Sequence, residues 1–130
     1  MFQLDMRSHR SIYEQVIDNF KELITTGVLE QDVRMLSVRE LAGTLAINPN
    51  TVQKAFKELE REGYIYTVTG KGTFVSSRED IHIDKESVKN IKILIKQNIK
   101  ELYFMGLEND EIKKILEKIA DETLSQLEEN

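Results

Sequence analysis

The chain has 130 residues, 40% apolar and 32% charged, enough apolar side chain to fold but with little core to spare. Chains of this size bury a smaller share of their surface than large domains do, and oligomerisation is a common remedy. A net charge of −5 excludes a uniformly basic nucleic-acid binder but permits a local basic face. The absence of cysteine excludes disulfides and thiolate metal sites, and two histidines, His9 and His82, argue against a histidine-rich metal centre.

No apolar run approaches the ~20 residues of a membrane span, and the N-terminal MFQLDMRSHR holds no signal-like apolar stretch. The expectation is a soluble cytoplasmic protein with no membrane partner, no metal or cofactor and little equipment for catalysis. Charge divides unevenly along the chain. Residues 1–78 balance ten basic against ten acidic side chains, whereas residues 79–130 carry eight against thirteen. Between Arg34 and Arg78 the count is seven basic to four acidic, a net of +3. The change falls at Ser76-Ser77-Arg78-Glu79-Asp80, a polar stretch that reads as a linker. Two domains are therefore expected, 1–77 and 78–130.

The first predicted helix covers 11–26. Ile12, Tyr13, Val16, Ile17, Phe20, Leu23 and Ile24 recur at helical spacing, and Gly27 is placed to end the helix in a left-handed conformation. The second begins at Ser37, where Ser37-Val38-Arg39-Glu40 forms a capping box, and stops near Ala46. In the third, Asn48 caps, Pro49 occupies the first helical position and Thr51 the third. Val52, Ala55, Phe56 and Leu59 form its inward stripe and Gly63 closes it. The short turn at Ala46-Ile47 gives helix-turn-helix spacing. Tyr64-Ile65-Tyr66-Thr67-Val68-Thr69 then reads as a strand, Gly70-Lys71-Gly72 as a turn and Thr73-Phe74-Val75 as a second strand. A hairpin placed after a helix-turn-helix is the wing of a winged helix.

The tail reads as two more helices. From Ser87 onward, Val88, Ile91, Ile95, Ile99 and Leu102 share one stripe, with Ile93 and Phe104 nearly opposite and Leu94 and Met105 to one side. A helix that is apolar on more than one side is buried on more than one side. Gly106 ends it. The last helix starts near Glu108 or Asn109 and lines up Ile112, Ile115, Leu116, Ile119, Ala120, Leu124 and Leu127. The fold class is thus mainly α with a small β-hairpin: a winged helix-turn-helix followed by a two-helix dimerisation tail. Ile91, Ile93, Ile95, Ile99, Leu102, Phe104, Ile112, Ile115 and Ile119 are the expected dimer residues.

Asn48, Asn50, Thr51, Gln53 and Lys54 sit where a helix-turn-helix presents its second helix to base edges. Asn and Gln can pair two hydrogen bonds with adenine, and Thr can touch a thymine methyl. Taken alone, the cluster is an ordinary helix start. With a capped helix before it and a hairpin after it, DNA contact is the stronger reading. Arg39, in the first turn of the second helix, can reach a phosphate or a guanine, or else pair with Glu40. Lys71, flanked by two glycines, can approach a phosphate or the minor groove. Arg34 and Lys57 are weaker candidates, and Arg61 reads as a solvated helix residue. His9 and His82 read as surface residues. Tyr13, Phe20, Tyr64, Tyr66, Tyr103 and Phe104 read as core, the last two also as candidates to line a pocket between the tail helices. Catalytic readings fare poorly. The tail carboxylates lie on polar faces beside lysines, and Gly70-Lys71-Gly72-Thr73 lacks the first glycine and the following helix of a phosphate loop.

Ser37-Val38-Arg39-Glu40-Leu41-Ala42, Asn50-Thr51-Val52, Ala55, Leu59, Glu62-Gly63-Tyr64-Ile65 and Gly70-Lys71-Gly72-Thr73-Phe74-Val75 closely resemble the GntR family of bacterial transcription regulators, over about residues 10–76. The resemblance implies operator contact at Arg39, Asn48, Asn50, Thr51, Gln53, Thr69 and Gly70, with Lys71 beside them in the wing. The chain departs from the family pattern in three loop positions. Gln31 stands for a glycine, Leu36 for a proline before the capping serine, and Ser11 for a proline before the first helix. The short tail is similar to that of the YtrA subgroup, which implies a dimer and, often, control of transporter operons. The expected function is therefore a homodimeric regulator, a repressor by family habit, binding a palindromic double-stranded DNA operator, with room for a small-molecule effector. The rival reading is a winged-helix adaptor that docks on protein and not on DNA.

Overall fold

The computed structural model describes residues 2–128. They form two units that divide between His82 and Ile83. The first unit contains α1 (Ile12–Thr25), α2 (Val38–Leu45), α3 (Pro49–Arg61), β1 (Ile65–Val68), β2 (Gly72–Val75) and a single 3-10 turn at Arg78–Asp80.

Each helix of this head starts on a side-chain cap. Ser11 and Glu14 form a capping box at α1, and Ser37 and Glu40 form another at α2. At α3 the Asn48 side chain accepts the Asn50 N–H at 2.8 Å, with Pro49 next to it. Ser11 thus does by hydrogen bonding what a proline does by restricting φ. The apolar stripes close on one another. Val16, Phe20 and Ile24 of α1 and Leu41 of α2 pack around Val52, Ala55, Phe56 and Leu59 of α3, all buried. Gly63 follows α3 at φ 86°, and a β-carbon there would overlap the Asp80 carbonyl, so this closure requires glycine.

The hairpin is antiparallel, in the register Ile65↔Val75, Tyr66↔Phe74, Thr67↔Thr73 and Val68↔Gly72. Ile65 and Val75 point into the core, and Tyr66 stacks on Phe74 across the other face at 5.6 Å. Gly72 belongs to β2 and Thr69 to the turn, a shift of one position from the sequence reading. The Lys71 N–H closes that turn on the Val68 carbonyl, with Gly70 at φ 80°.

Segment 32–35 adds a third, short extended stretch. The Asp32 N–H donates to the Val75 carbonyl (2.8 Å), the Val75 N–H to Val33 (3.0 Å) and the Met35 N–H to Thr73 (2.7 Å). β2 is therefore flanked on both sides, and the wing is tied to the strand that leads into α2. The left-handed residue of this loop is Asp32, at φ 65°. Aspartate tolerates that region, and Asp32 also accepts the Tyr66 hydroxyl at 2.8 Å.

The N-terminal arm belongs to the head as well. Phe2 meets Phe20 edge-on at 5.0 Å. Buried Gln15 accepts the Asp5 N–H and donates to the carbonyls of Asp5 and Arg10. At the other end, the His82 N–H donates to the Glu62 carbonyl. The Arg78–Asp80 turn and this bond hold residues 78–82 on the head, which moves the compact division from the expected 77/78 to 82/83.

The second unit is a pair of helices, α4 (Lys85–Phe104) and α5 (Asn109–Glu128), joined through Gly106 at φ 99°. α4 begins two residues before Ser87 because Asp84 caps it, accepting the N–H groups of Glu86 and Ser87 and the Ser87 hydroxyl. Among the described residues no helix is long and apolar enough to cross a membrane.

Candidate nucleic-acid interface

The solvent side of α3 is built by the same periodicity that buries its other side. With Val52, Ala55, Phe56 and Leu59 turned inward, Asn50, Gln53, Lys54 and Lys57 face out and are exposed. Among the described residues the side chains of Asn50 and Gln53 have no hydrogen-bond partner. Asn48 spends its Oδ1 on the cap and leaves its amide N–H groups without one. Thr51 is half-buried, one step toward the core from its neighbours. The first turn of α3 carries no carboxylate, so the positive end of the helix dipole is left to an external anion.

The carboxylates of α3 lie toward its other end. Glu58 is held down at about 2 by its hydrogen bond to Arg61, a pair at 2.6 Å. The Glu62 carboxyl is pushed up, first by burial and then by Glu58, against the pull of Lys21, which pairs with it at 2.9 Å. Arg61 is thus an ion-pair partner, not merely solvated.

Arg39 is exposed in the first turn of α2 and does not pair with Glu40, since adjacent helix residues do not face each other; the Glu40 carboxylate accepts the Ser37 N–H in the capping box. That bond is the main reason the Glu40 carboxyl lies below its ordinary range. Thr69, Gly70 and Lys71 are exposed at the wing tip. Among the described residues Arg34, Arg39, Lys54, Lys57 and Lys71 make no ion pair, whereas Arg10, Lys21 and Arg61 are paired within the head. Arg34 joins the two parts of this surface. It bridges Phe74, and a β-carbon on Gly72 would lie 2.9 Å from its Nε. It also adds a smaller downward pull on the Glu40 carboxyl. Arg34 stands out little in the sequence because its pairing with β2 is not local.

The tail places its apolar residues differently. Ile91, Ile93, Ile95 and Ile119 are exposed by 56, 45, 48 and 55%, and Phe104 by 78%. Ile99, Leu102 and Ile115 are half-buried, and Ile112 is buried inside its own chain. Ile112 is therefore consumed by α4–α5 packing and is not presented to a partner. Tyr103 and Phe104 are exposed, not core. Tyr103 lines a cavity between α4 and α5 with Ile99, Ile112 and Leu116, and Phe104 does not.

Residues 12–75 match the profile described as bacterial regulatory proteins, gntR family. The HTH-type transcriptional repressor YtrA of Bacillus subtilis (strain 168) is 40% identical over 120 residues, which is 92% of this chain and 92% of that protein. This chain belongs to the GntR family of bacterial regulatory proteins. A solved structure of a transcriptional antiterminator from Listeria monocytogenes EGD-e matches with a TM-score of 0.82 at 36% identity, over 98% of this chain and 92% of that one. The DNA-binding domain of AraR, solved in complex with operator ORE1, matches with a TM-score of 0.50 at 28% identity, over 58% of this chain and 93% of that one. As a YtrA-like GntR member, the chain is a DNA-binding transcriptional regulator with a winged helix-turn-helix head and a short helical tail.

Proposed function

We propose that the protein is a cytoplasmic repressor, acts as a homodimer, and reads the two halves of a palindromic operator with the N-terminal end of α3 while the wing holds the backbone. The observation that carries this reading is the outward row Asn50, Gln53 and Lys54, exposed and unspent among the described residues, at a helix start free of carboxylates. Asn50 and Gln53 read base edges. Lys54, Arg39 and Lys71, with Thr69 and Gly70, position the head on phosphates. Asn48 and Thr51 cap and support that tip.

Dimerisation is supported by the tail. Ile91, Ile93, Ile95, Ile119 and Phe104 leave too much apolar side chain in water for a two-helix unit. Joining two tails removes it and sets the heads at half-site spacing. The resemblance to YtrA supports a transporter operon as the regulated target. The protein carries out no catalytic step in this reading.

The test is gel-shift binding of a sequence selected from a random DNA pool, with sedimentation of the same protein. The expected result is a salt-dependent complex of two chains on one duplex. A protein that is monomeric at micromolar concentration, or one that binds no DNA at low salt, contradicts the reading.

A further inference from the structure

We propose that the head holds a binding site for a small amphipathic carboxylate, and that its occupation weakens DNA binding through Arg34; this second part rests on the DNA-binding reading above. A cavity of about 530 Å³ opens between the N-terminal arm, α1, the segment leading into α2, and α2. Phe2, Phe20, Leu23, Leu29, Leu41 and Leu45 supply its apolar wall. The volume lies in the range of small-molecule sites, roughly 300–1,000 Å³, and an apolar wall with a few polar groups is their usual construction.

Three polar side chains line it: Arg34, Glu40 and Thr44. Two are engaged locally. The Glu40 carboxylate accepts the Ser37 N–H at 3.2 Å, and the Thr44 hydroxyl donates to the Glu40 carbonyl at 2.9 Å. The Arg34 guanidinium makes no ion pair or side-chain hydrogen bond among the described residues. Arg34 is exposed and lowers the Glu40 carboxyl without forming an ion pair with it, so a hydrocarbon wall with a guanidinium open to a closer partner fits a molecule with an apolar body and a single carboxylate, which arginine binds with two parallel hydrogen bonds.

Arg34 is also the link to the wing. Its backbone bridges Phe74 and its guanidinium lies against Gly72. A bound carboxylate draws that group toward the cavity, neutralises its charge and removes its packing from the wing. By linkage, a carboxylate that lowers DNA affinity is itself bound less tightly when DNA is present.

The test is isothermal titration of the full chain, without DNA, with octanoate, octanamide and octylamine. The expected result is saturable octanoate binding, roughly tenfold or more tighter than octanamide, because a charge-assisted pair replaces a neutral one. Arg34→Met should erase that preference. Thr44→Trp, at an exposed rim position, should abolish octanoate binding with an unchanged thermal melt. Octylamine bound in preference, binding that does not saturate by roughly 10 mM, tenfold above a millimolar Kd, or binding indifferent to both substitutions overturns the site. On a selected operator, octanoate should lower the affinity of the unaltered chain and not of Arg34→Met. Octanoate that fills the cavity without changing DNA affinity overturns the coupling. A chain that binds no DNA overturns the coupling and the DNA reading together, and leaves the titration to decide the site.

Discussion

Lys71 is the sharpest place to perturb the interface, because its two roles differ in what they leave behind. A lysine kept for solubility can be replaced at no cost to binding, whereas a phosphate contact cannot. The five cations of the candidate interface, Arg34, Arg39, Lys54, Lys57 and Lys71, make no ion pair among the described residues. If each neutralises one phosphate, two heads release about ten counterions, and log K falls with log salt at a slope of about −9. Lys71→Gln removes one contact per head and should make the slope shallower by about 1.8. The loss should be similar on operator and on unrelated duplex, since a phosphate contact positions and does not specify. Fluorescence anisotropy of a labelled operator across a salt series measures the slope. Lys113→Gln, an exposed tail lysine in α5, is the control. An unchanged slope for Lys71→Gln, or an equal change for the tail control, refutes the placement of the wing on the backbone.

Three other expectations follow from particular residues. Ile93→Asp or Phe104→Asp puts a charge on an apolar face exposed in the single chain; sedimentation should report a shift from dimer to monomer, with the melt of the head unchanged. Ala46 holds a left-handed φ of 56° between α2 and α3 and is exposed, so Ala46→Gly should stabilise the head by about 1 kcal/mol and raise its Tm by roughly 4–8 °C. Glu58, held at about 2 in the folded state, binds fewer protons there than in the unfolded chain between pH 2 and its ordinary value of 4.5. Its contribution is present above that window and lost as pH falls through it. Glu58→Gln should flatten this acid limb in urea melts, while the raised Glu62 carboxyl works in the opposite sense at higher pH.

What the sequence showed plainly was local. The Ser37–Glu40 box, the Asn48-Pro49 start and the inward stripe of α3 depend on residues within one or two turns of each other, and the structure has them at those positions. What it hid was non-local or spread over single residues. Segment 32–35 is too short to read as a strand, and it is extended because β2 offers backbone partners 40 residues away in sequence. The left-handed φ at Asp32 carried no sequence signal, because the hydrogen bonds to Val75 and Tyr66 that hold it are non-local. Residues 76–80 read as a linker by composition, yet Gly63 leaves space for the Asp80 carbonyl and Glu62 accepts the His82 N–H just beyond. Gln15 carried no sequence signal, since its role is to bind backbone groups of the arm. In the site, the tip of α3 was legible from its cap, whereas Arg34 was not, because its place depends on the wing.

The central claim is that the outward side chains at the start of α3 read bases. Selection of DNA from a random pool by the unaltered chain and by Asn50→Ala and Gln53→Ala tests it most directly. The unaltered chain should enrich an inverted repeat, and each substitution should relax preference at one defined position in both half-sites, at a cost of about 1–3 kcal/mol per discriminated base. An identical enriched sequence from all three proteins contradicts the claim.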